Sequence, residues 1–233
     1  LIFQTPNLLT KWRVDTLFTK EPGTIEWLNE IRPKEVLLDI GANVGMYTIY
    51  AAAVRKANVY ALEPESQNYS LLNKNIRLNK LDHLVGAYCI GLSNVDSFDY
   101  IFMGNMLPGD ANHAVGEPLN FELEPFHDHL KFAQGCITYK LDSLVEANKL
   151  PIPDYVKIDV DGFEHKVIEG AKKTLKNKKI KSVIIELNPN LSEHLATVDL
   201  LQDLGFKFSQ EQVDKASRKE GPFKGMSEYV FRR

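Results

Sequence analysis

The sequence predicts an α/β domain built on a mostly parallel β-sheet with helices on both faces. Three observations predict it. Strand-length runs at 36–40, 58–62, 155–159 and 182–186 alternate with segments whose apolar residues recur at helical spacing. The first run, Val36-Leu37-Leu38-Asp39-Ile40, is apolar until it meets an acid, the pattern of a strand covered on both faces. A glycine-bearing turn, Gly41 to Gly45, then leads straight into a helical segment.

The elements follow in order. Trp12 to Phe18 alternates loosely and reads as a short strand, punctuated by Lys20-Glu21-Pro22-Gly23. Thr24 is a candidate N-cap for a helix carrying Ile25, Leu28 and Ile31 and stopped at Pro33. Strand 36–40, helix 46–54, strand 58–62, helix 65–79 and a strand across 85–90 make a β-α-β-α-β unit. The pattern resumes with strand 155–159, a helix over 164–176, strand 182–186 and a helix over 192–204. Strands near Phe206–Phe208 and Glu228–Phe231 complete it. Residues 1–34 read as an N-terminal extension packing on a core domain of 35–233. Within that domain, about 104–135 is an irregular insertion rich in Gly, Pro and His, and long irregular stretches of this kind are often functional. The polar, basic segment 215–224 reads as a solvated connection.

Composition narrows the function. With 233 residues, 44% of them hydrophobic, the chain can bury one sizeable core. A net charge of −3 gives no reason to expect a nucleic-acid or anionic-membrane partner. Cys89 and Cys136 form no Cys-x-x-Cys pair, so neither a zinc site nor a disulfide framework is indicated. No apolar run approaches the ~18–20 residues of a membrane helix, and Leu1 to Pro6 do not resemble a signal peptide. A cytoplasmic location is expected, although the chain does not begin with Met.

The most informative segment is Asp39-Ile40-Gly41-Ala42-Asn43-Val44-Gly45 at the first strand-to-helix junction. Glycines there permit a sharp turn and close approach of a ligand. About two dozen residues later Glu63 ends the second strand, where an acid can accept both ribose hydroxyls of an adenosine cofactor. The spacing does not match Gly-x-Gly-x-x-Gly. An acid at Asp39 would repel a pyrophosphate but favour the ammonium of S-adenosylmethionine (SAM) or S-adenosylhomocysteine (SAH).

These residues resemble the FkbM family of SAM-dependent methyltransferases. The resemblance rests on Leu38 to Thr48, Ala61-Leu62-Glu63-Pro64-Glu65, Lys157 to Glu164, and Ile184-Ile185-Glu186. It implies a Rossmann-like methyltransferase fold with a seven-stranded sheet and a reversed final strand. It also implies O-methylation, often of carbohydrates or polyketide-like products. By the same resemblance, Asp39, Gly41, Asn43 and Gly45 line the methionine end of SAM and Glu63 binds ribose. Where this chain has Asp161 the family commonly has Glu. Glu21, in the Lys20-Glu21-Pro22 punctuation, joins the cofactor-binding candidates.

Methyl transfer to a sugar hydroxyl needs alignment and a base or a metal. Asp159, Asp161 and Glu186 lie at or just beyond the carboxyl ends of strands, where ligands of open α/β sheets bind. Asp159 or Asp161 is the candidate base, with His165 assisting. His113 is a candidate from the irregular insertion. His127-Asp128-His129 reads as a loop rather than a metal site. Asn188-Pro189-Asn190 departs from the Asn-Pro-Pro-aromatic loop of amino-methylating nucleic-acid enzymes. The expected partner is therefore a small-molecule acceptor, a carbohydrate by resemblance, with oligomeric state unread. The rival readings are a SAM-binding domain without catalysis and an NAD-dependent oxidoreductase.

Overall fold

The alternating strands and helices build one open sheet whose order reverses beside the glycine turn. In this computed structural model, residues 1–111, 113–125, 130–221 and 223–233 are described. Strands β1 (Val36–Ile40), β2 (Asn58–Leu62) and β3 (Val85–Tyr88) run parallel to one side. The chain then returns to the other side of β1 with β8 (Tyr155–Ile158) and β9 (Ser182–Leu187), also parallel, and β10 (Ser227–Arg232), antiparallel. The spatial order is β10-β9-β8-β1-β2-β3, so the switch point lies between β1 and β8. Pleating sends Leu37, Val59 and Ala61 to one core and Leu38, Leu62, Val156 and Ile158 to the other. Helices α3 (Met46–Arg55) and α4 (Ser66–Leu78) cover the first face. Helices α6 (Glu164–Glu169), α7 (Lys172–Leu175) and α8 (Ser192–Asp203) cover the second.

The fold corrects the sequence reading in several places. Among the described residues the sheet has six strands, not seven. The strand expected near Phe206–Phe208 is a single bridge between Lys207 and Arg232. Gly205, at φ +89°, follows the end of α8, and Ser209 already caps α9 (Gln210–Ala216), which leaves too little extended chain for a ladder. Trp12 lies in a helix, α1 (Leu8–Asp15), because Asn7 and Thr10 form a reciprocal capping box. The next helix, α2 (Pro22–Leu28), begins at Pro22 with Glu21 as N-cap. Thr24 instead donates its hydroxyl to Glu228. The single helix expected over 164–176 is broken into two. Gly170 sits where a Cβ would lie 2.1 Å from the Ser93 carbonyl oxygen, and the backbone turns there.

A second sheet was not anticipated. It comprises β4 (Gly91–Leu92), β5 (Ser97–Met103), β6 (Ala114–Val115) and β7 (Phe132–Tyr139), in the order β4-β7-β5-β6. Strands β5 and β7 pair antiparallel from Ser97 with Thr138 to Met103 with Phe132. The irregular insertion is thus an excursion anchored at both ends by one ladder. The N-terminal segment buries Trp27, Leu28 and Ile31 in the first core, and the Trp27 indole N–H donates to Ser182 Oγ at 2.8 Å. Among the described residues no helix is long and apolar enough to cross a membrane.

Two glycines of the turn carry different loads. Both are left-handed, Gly41 at φ +77° and Gly45 at φ +86°. A Cβ on Gly41 would lie 1.8 Å from the backbone oxygen of Asp159, whereas one on Gly45 would meet the Leu72 side chain at 2.4 Å. Backbone at the switch point cannot yield, but a leucine tip can. Gly41→Ala is expected to cost more than about 2 kcal/mol, and Gly45→Ala roughly the 1–2 kcal/mol of a left-handed residue plus a smaller clash. Denaturant unfolding of both variants would check this order.

Candidate active site

A cavity of about 550 Å³ opens at the switch point, beyond the carboxyl ends of the parallel strands. It brings together Gly41, Asn43, Glu63, His113, Asp159, Asp161 and Glu186. Glu21 lies beside it, lining an adjoining recess with Gly41, Tyr47, Lys157 and Asp159. Asp39, Gly45 and His165 do not line the cavity. Asp39 is 1% exposed within β1, and His165 faces Phe163 and His194 on α6.

The wall formed by the glycine turn is fixed by Glu63. Its carboxylate accepts the Asn43 N–H at 2.8 Å and the Glu65 N–H at 2.9 Å. Burial pushes this carboxyl up to about 8, against those two hydrogen bonds. Asn43 reaches on through its side-chain amide to the Asp110 carbonyl at 2.7 Å, tying the turn to the insertion. Beside Glu63 runs a narrow apolar cleft between Leu62, Pro64, Ile90, Leu92 and Phe163. His113 borders both this cleft and the main cavity. Its buried Nε2 has no hydrogen-bond partner among the described residues.

Beneath the cavity lies a buried ammonium. Lys157 is 3.0 Å from Asp159 and 3.8 Å from Asp39. Thr48 Oγ1 donates to Asp39 at 2.5 Å, and the Tyr47 ring lies 5.3 Å from the Lys157 ammonium. Tyr47 itself donates its hydroxyl to Glu21 at 2.6 Å. Burial raises Asp39, and Lys157 and Thr48 only partly offset it. Burial also opposes ionisation of Asp159, but Lys157, Lys20 and Arg13 outweigh it and hold that carboxyl down at about 2. Asp39 therefore acts through Lys157 rather than at the cavity surface.

On the opposite wall, Asp161 sits in the left-handed region at φ +56° and accepts the His113 backbone N–H at 3.3 Å. Its turn is held from below by Glu164, which accepts the N–H groups of Val160 at 2.9 Å and Gly162 at 3.1 Å. His194 braces the same turn. It accepts from the Asn188 N–H through Nδ1, so Nε2 carries the proton and donates to the Gly162 carbonyl at 3.0 Å. Glu186, at the end of β9, pairs with Arg218 at 2.5 Å. Burial raises the Glu186 carboxyl well above the usual range, the Asp159 charge adds to this, and Arg218 opposes it.

Several of these residues escaped the sequence reading. Lys157 could have been found, because a charge in the middle of an apolar strand needs a partner. Arg218 could not. It falls in the segment read as a solvated connection, yet antiparallel β10 returns that segment over the end of β9 and turns the guanidinium onto Glu186 and Glu21. His127-Asp128-His129 lies outside the described residues. Among the described residues no cluster of His, Cys, Asp and Glu is arranged to hold a metal ion.

Carboxylates at Asp159, Asp161, Glu63 and Glu186 suit a cofactor bearing cationic groups, and a pyrophosphate would meet repulsion there. Open sheet, switch-point cavity and acidic walls together define a SAM-dependent methyltransferase domain, with SAM as its cofactor. The chain belongs to the FkbM family: residues 39–208 match the methyltransferase FkbM domain. The oxidoreductase alternative gives way to this match. A curated relative, the hexuronic acid methyltransferase AglP of Haloferax volcanii, is 28% identical over 180 residues, covering 76% of this chain and 66% of that protein. A tRNA (guanine(37)-N(1))-methyltransferase of Phytophthora infestans is 31% identical over 74 residues, covering 32% of this chain and 16% of that protein. Among solved structures, precorrin-6y C5,15-methyltransferase from Geobacter metallireducens superposes with a TM-score of 0.51 at 16% identity. That superposition covers 99% of this chain and 93% of the other and reports the fold alone.

Removing the Lys157 charge tests the buried network. Lys157→Met leaves Asp39 buried, and Asp159 half-buried, without their cation and is expected to destabilise the fold by about 3–5 kcal/mol at neutral pH, most of it from Asp39. Asp159 is depressed in the native state, so it contributes stability above the ordinary carboxylate range, and that stability is lost as pH falls toward about 2. The gap between wild type and variant should therefore narrow below roughly pH 4. Chemical denaturation at pH 7 and pH 3.5 would measure it.

Proposed function

We propose that the domain transfers the methyl group of SAM to a hydroxyl of a sugar or related small molecule. The observation that carries this reading is the single cavity that sets Gly41, Asn43 and Glu63 on one wall against Asp159, Asp161 and Glu186 on the other. The hexuronic acid relative supports a sugar as acceptor. The acidic walls favour it over nucleic acid, whose phosphates would face carboxylates.

When bound, SAM supplies an activated methyl on a sulfonium and leaves as SAH. The chain's own groups then divide the work. Glu63 accepts the ribose hydroxyls, and the apolar cleft beside it takes the adenine ring. Asp159, kept ionised by Lys157, faces the positive charge of the methionine end, and Arg13 and Lys20 face its carboxylate. On the acceptor wall, Glu186 takes the hydroxyl proton at its carboxylate oxygen. Its raised affinity for protons makes it a stronger base than Asp159, whose carboxyl is held at about 2. Asp161 and His113 orient the acceptor between the two walls.

Calorimetric titration with SAH, with NADH as control, tests the cofactor. Transfer of labelled methyl from SAM to hexoses and hexuronic acids tests the acceptor. SAH binding with no transfer to any sugar would favour a SAM-binding domain without sugar chemistry. SAH affinity should rise with pH toward about 8, because Glu63 must be ionised to accept two hydroxyls. Glu63→Gln should abolish that slope and weaken binding about 10- to 100-fold. Glu186→Gln should lower kcat by about 10²- to 10⁴-fold and remove the acid limb of the kcat profile, with SAH affinity unchanged.

A further inference from the structure

The cavity has a neighbour that the methyl-transfer reading leaves unused. A second chamber of about 630 Å³ lies between α2 and α9, and Lys20, Glu186 and Arg218 line both spaces. Each volume alone fits an ordinary ligand site of ~300–1,000 Å³, and the two joined exceed it. We propose that the acceptor is longer than one sugar unit, and that an uncharged or amine-bearing sugar next to the methylated one occupies this second chamber. The proposal rests on the sugar-methylating reading above.

The lining sets the chemistry of the occupant. Glu26 on α2, Ser209, Glu211, Gln212 and Lys215 around α9, and Ser217 after it give walls that set hydrogen-bonding groups among the apolar surfaces of Pro22 and Ala216. Such mixed walls suit a sugar, with its hydroxyls and C–H faces, better than a wholly apolar chain. Three carboxylates are already matched: Lys20 with Glu21, Arg218 with Glu186 and Lys215 with Glu211. Glu26 and Glu228 remain in excess. That surplus disfavours a uronate or phosphate in the second chamber and admits neutral hydroxyls or an ammonium. Glu186, the proposed base, lies on the seam between the chambers together with Lys20 and Arg218. A hydroxyl presented to Glu186 therefore belongs to a unit with room on its far side for the next one.

Acceptor length is the test. Methyl glucuronoside is the single-unit probe, and a glucuronosyl-glucose disaccharide is the extended one. The wild-type protein should show a KM about 10-fold lower for the disaccharide, the equivalent of about 1.4 kcal/mol. Ala216→Trp, which fills the second chamber from α9, should erase that difference. It should leave the KM and kcat for the single unit and the affinity for SAH unchanged. Glu26→Lys, on the opposite wall, should raise turnover of a disaccharide whose second unit is a uronate. Equal KM values for both probes in the wild type, or a difference that survives in Ala216→Trp, overturns the proposal while the methyl-transfer reading stands. SAH binding with methylation of neither probe overturns the sugar reading and this inference with it.

Discussion

The site depends on one buried ion pair at the line where the sheet reverses. The parallel ladder between β1 and β8 sets Lys157 directly opposite Asp39, and Asp159 follows one residue beyond the end of β8, its N–H donating to the Ile40 carbonyl at 3.1 Å. A lone ammonium at that depth would be prohibitive, as would two carboxylates. Together they compensate, and the compensation fixes where Asp159 enters the cavity. Gly41 then has no freedom to be another residue, because the turn after β1 passes against the Asp159 carbonyl. The turn's position in turn sets Asn43 against Glu63. One electrostatic constraint thus propagates through backbone contacts to both walls.

Burial acts on Asp159, Glu63 and Glu186 alike, but their neighbours make the outcomes diverge. Asp159, flanked by Lys157, Lys20 and Arg13, is held at about 2. Glu63, with backbone N–H donors as its main support, rises to about 8. Glu186 is also raised, because the guanidinium of Arg218 is opposed by the charge of Asp159. Acids whose environments push them apart can take different roles in one reaction. On the proposed reading, ionised Asp159 serves binding and raised Glu186 serves proton transfer, while Glu63 binds once it is ionised. Glu164, pushed by burial to about 8 as well, lies under the turn and braces it.

The parallel half of the fold was legible because each strand there is a short apolar run followed by a turn with a conformational demand. Gly41, Asn43 and Glu63, proposed for the cofactor side, stood out for the same reason: local chain geometry fixes them on the wall of the cavity. The antiparallel sheet was harder to read. Phe98, Tyr100 and Phe102 alternate as strand residues should, but their partner β7 comes only after a long excursion, and pairing at that separation leaves no local mark. Asp39 was assigned to the cofactor from its place beside the glycines. Its real neighbours, Lys157 and Thr48, come from another strand and a helix. His165 shows the opposite error, a catalytic residue type on a helix face that turns toward His194 instead of the cavity.

Beyond Asp159, Asp161 and Glu186 at the strand ends, the proposed acceptor side is assembled by segments that are not part of the parallel sheet. The excursion between β5 and β7 supplies Asp110 and His113. The N-terminal helices supply Arg13, Lys20 and Glu21, and the return into β10 supplies Arg218 and Phe223, whose ring lies 5.1 Å from the guanidinium. All three segments are tied to the rigid cofactor wall by a few polar bonds: Asn43 to the Asp110 carbonyl, Tyr47 to Glu21, and Arg218 to Glu186. Such a division lets the wall that holds the cofactor stay constant while the wall that meets the acceptor varies with loop sequence. On the proposed reading, adenine would lie against the apolar cleft made by core strands, and the acceptor against loops whose charges are already paired with one another, as Lys20 is with Glu21 and Arg218 with Glu186.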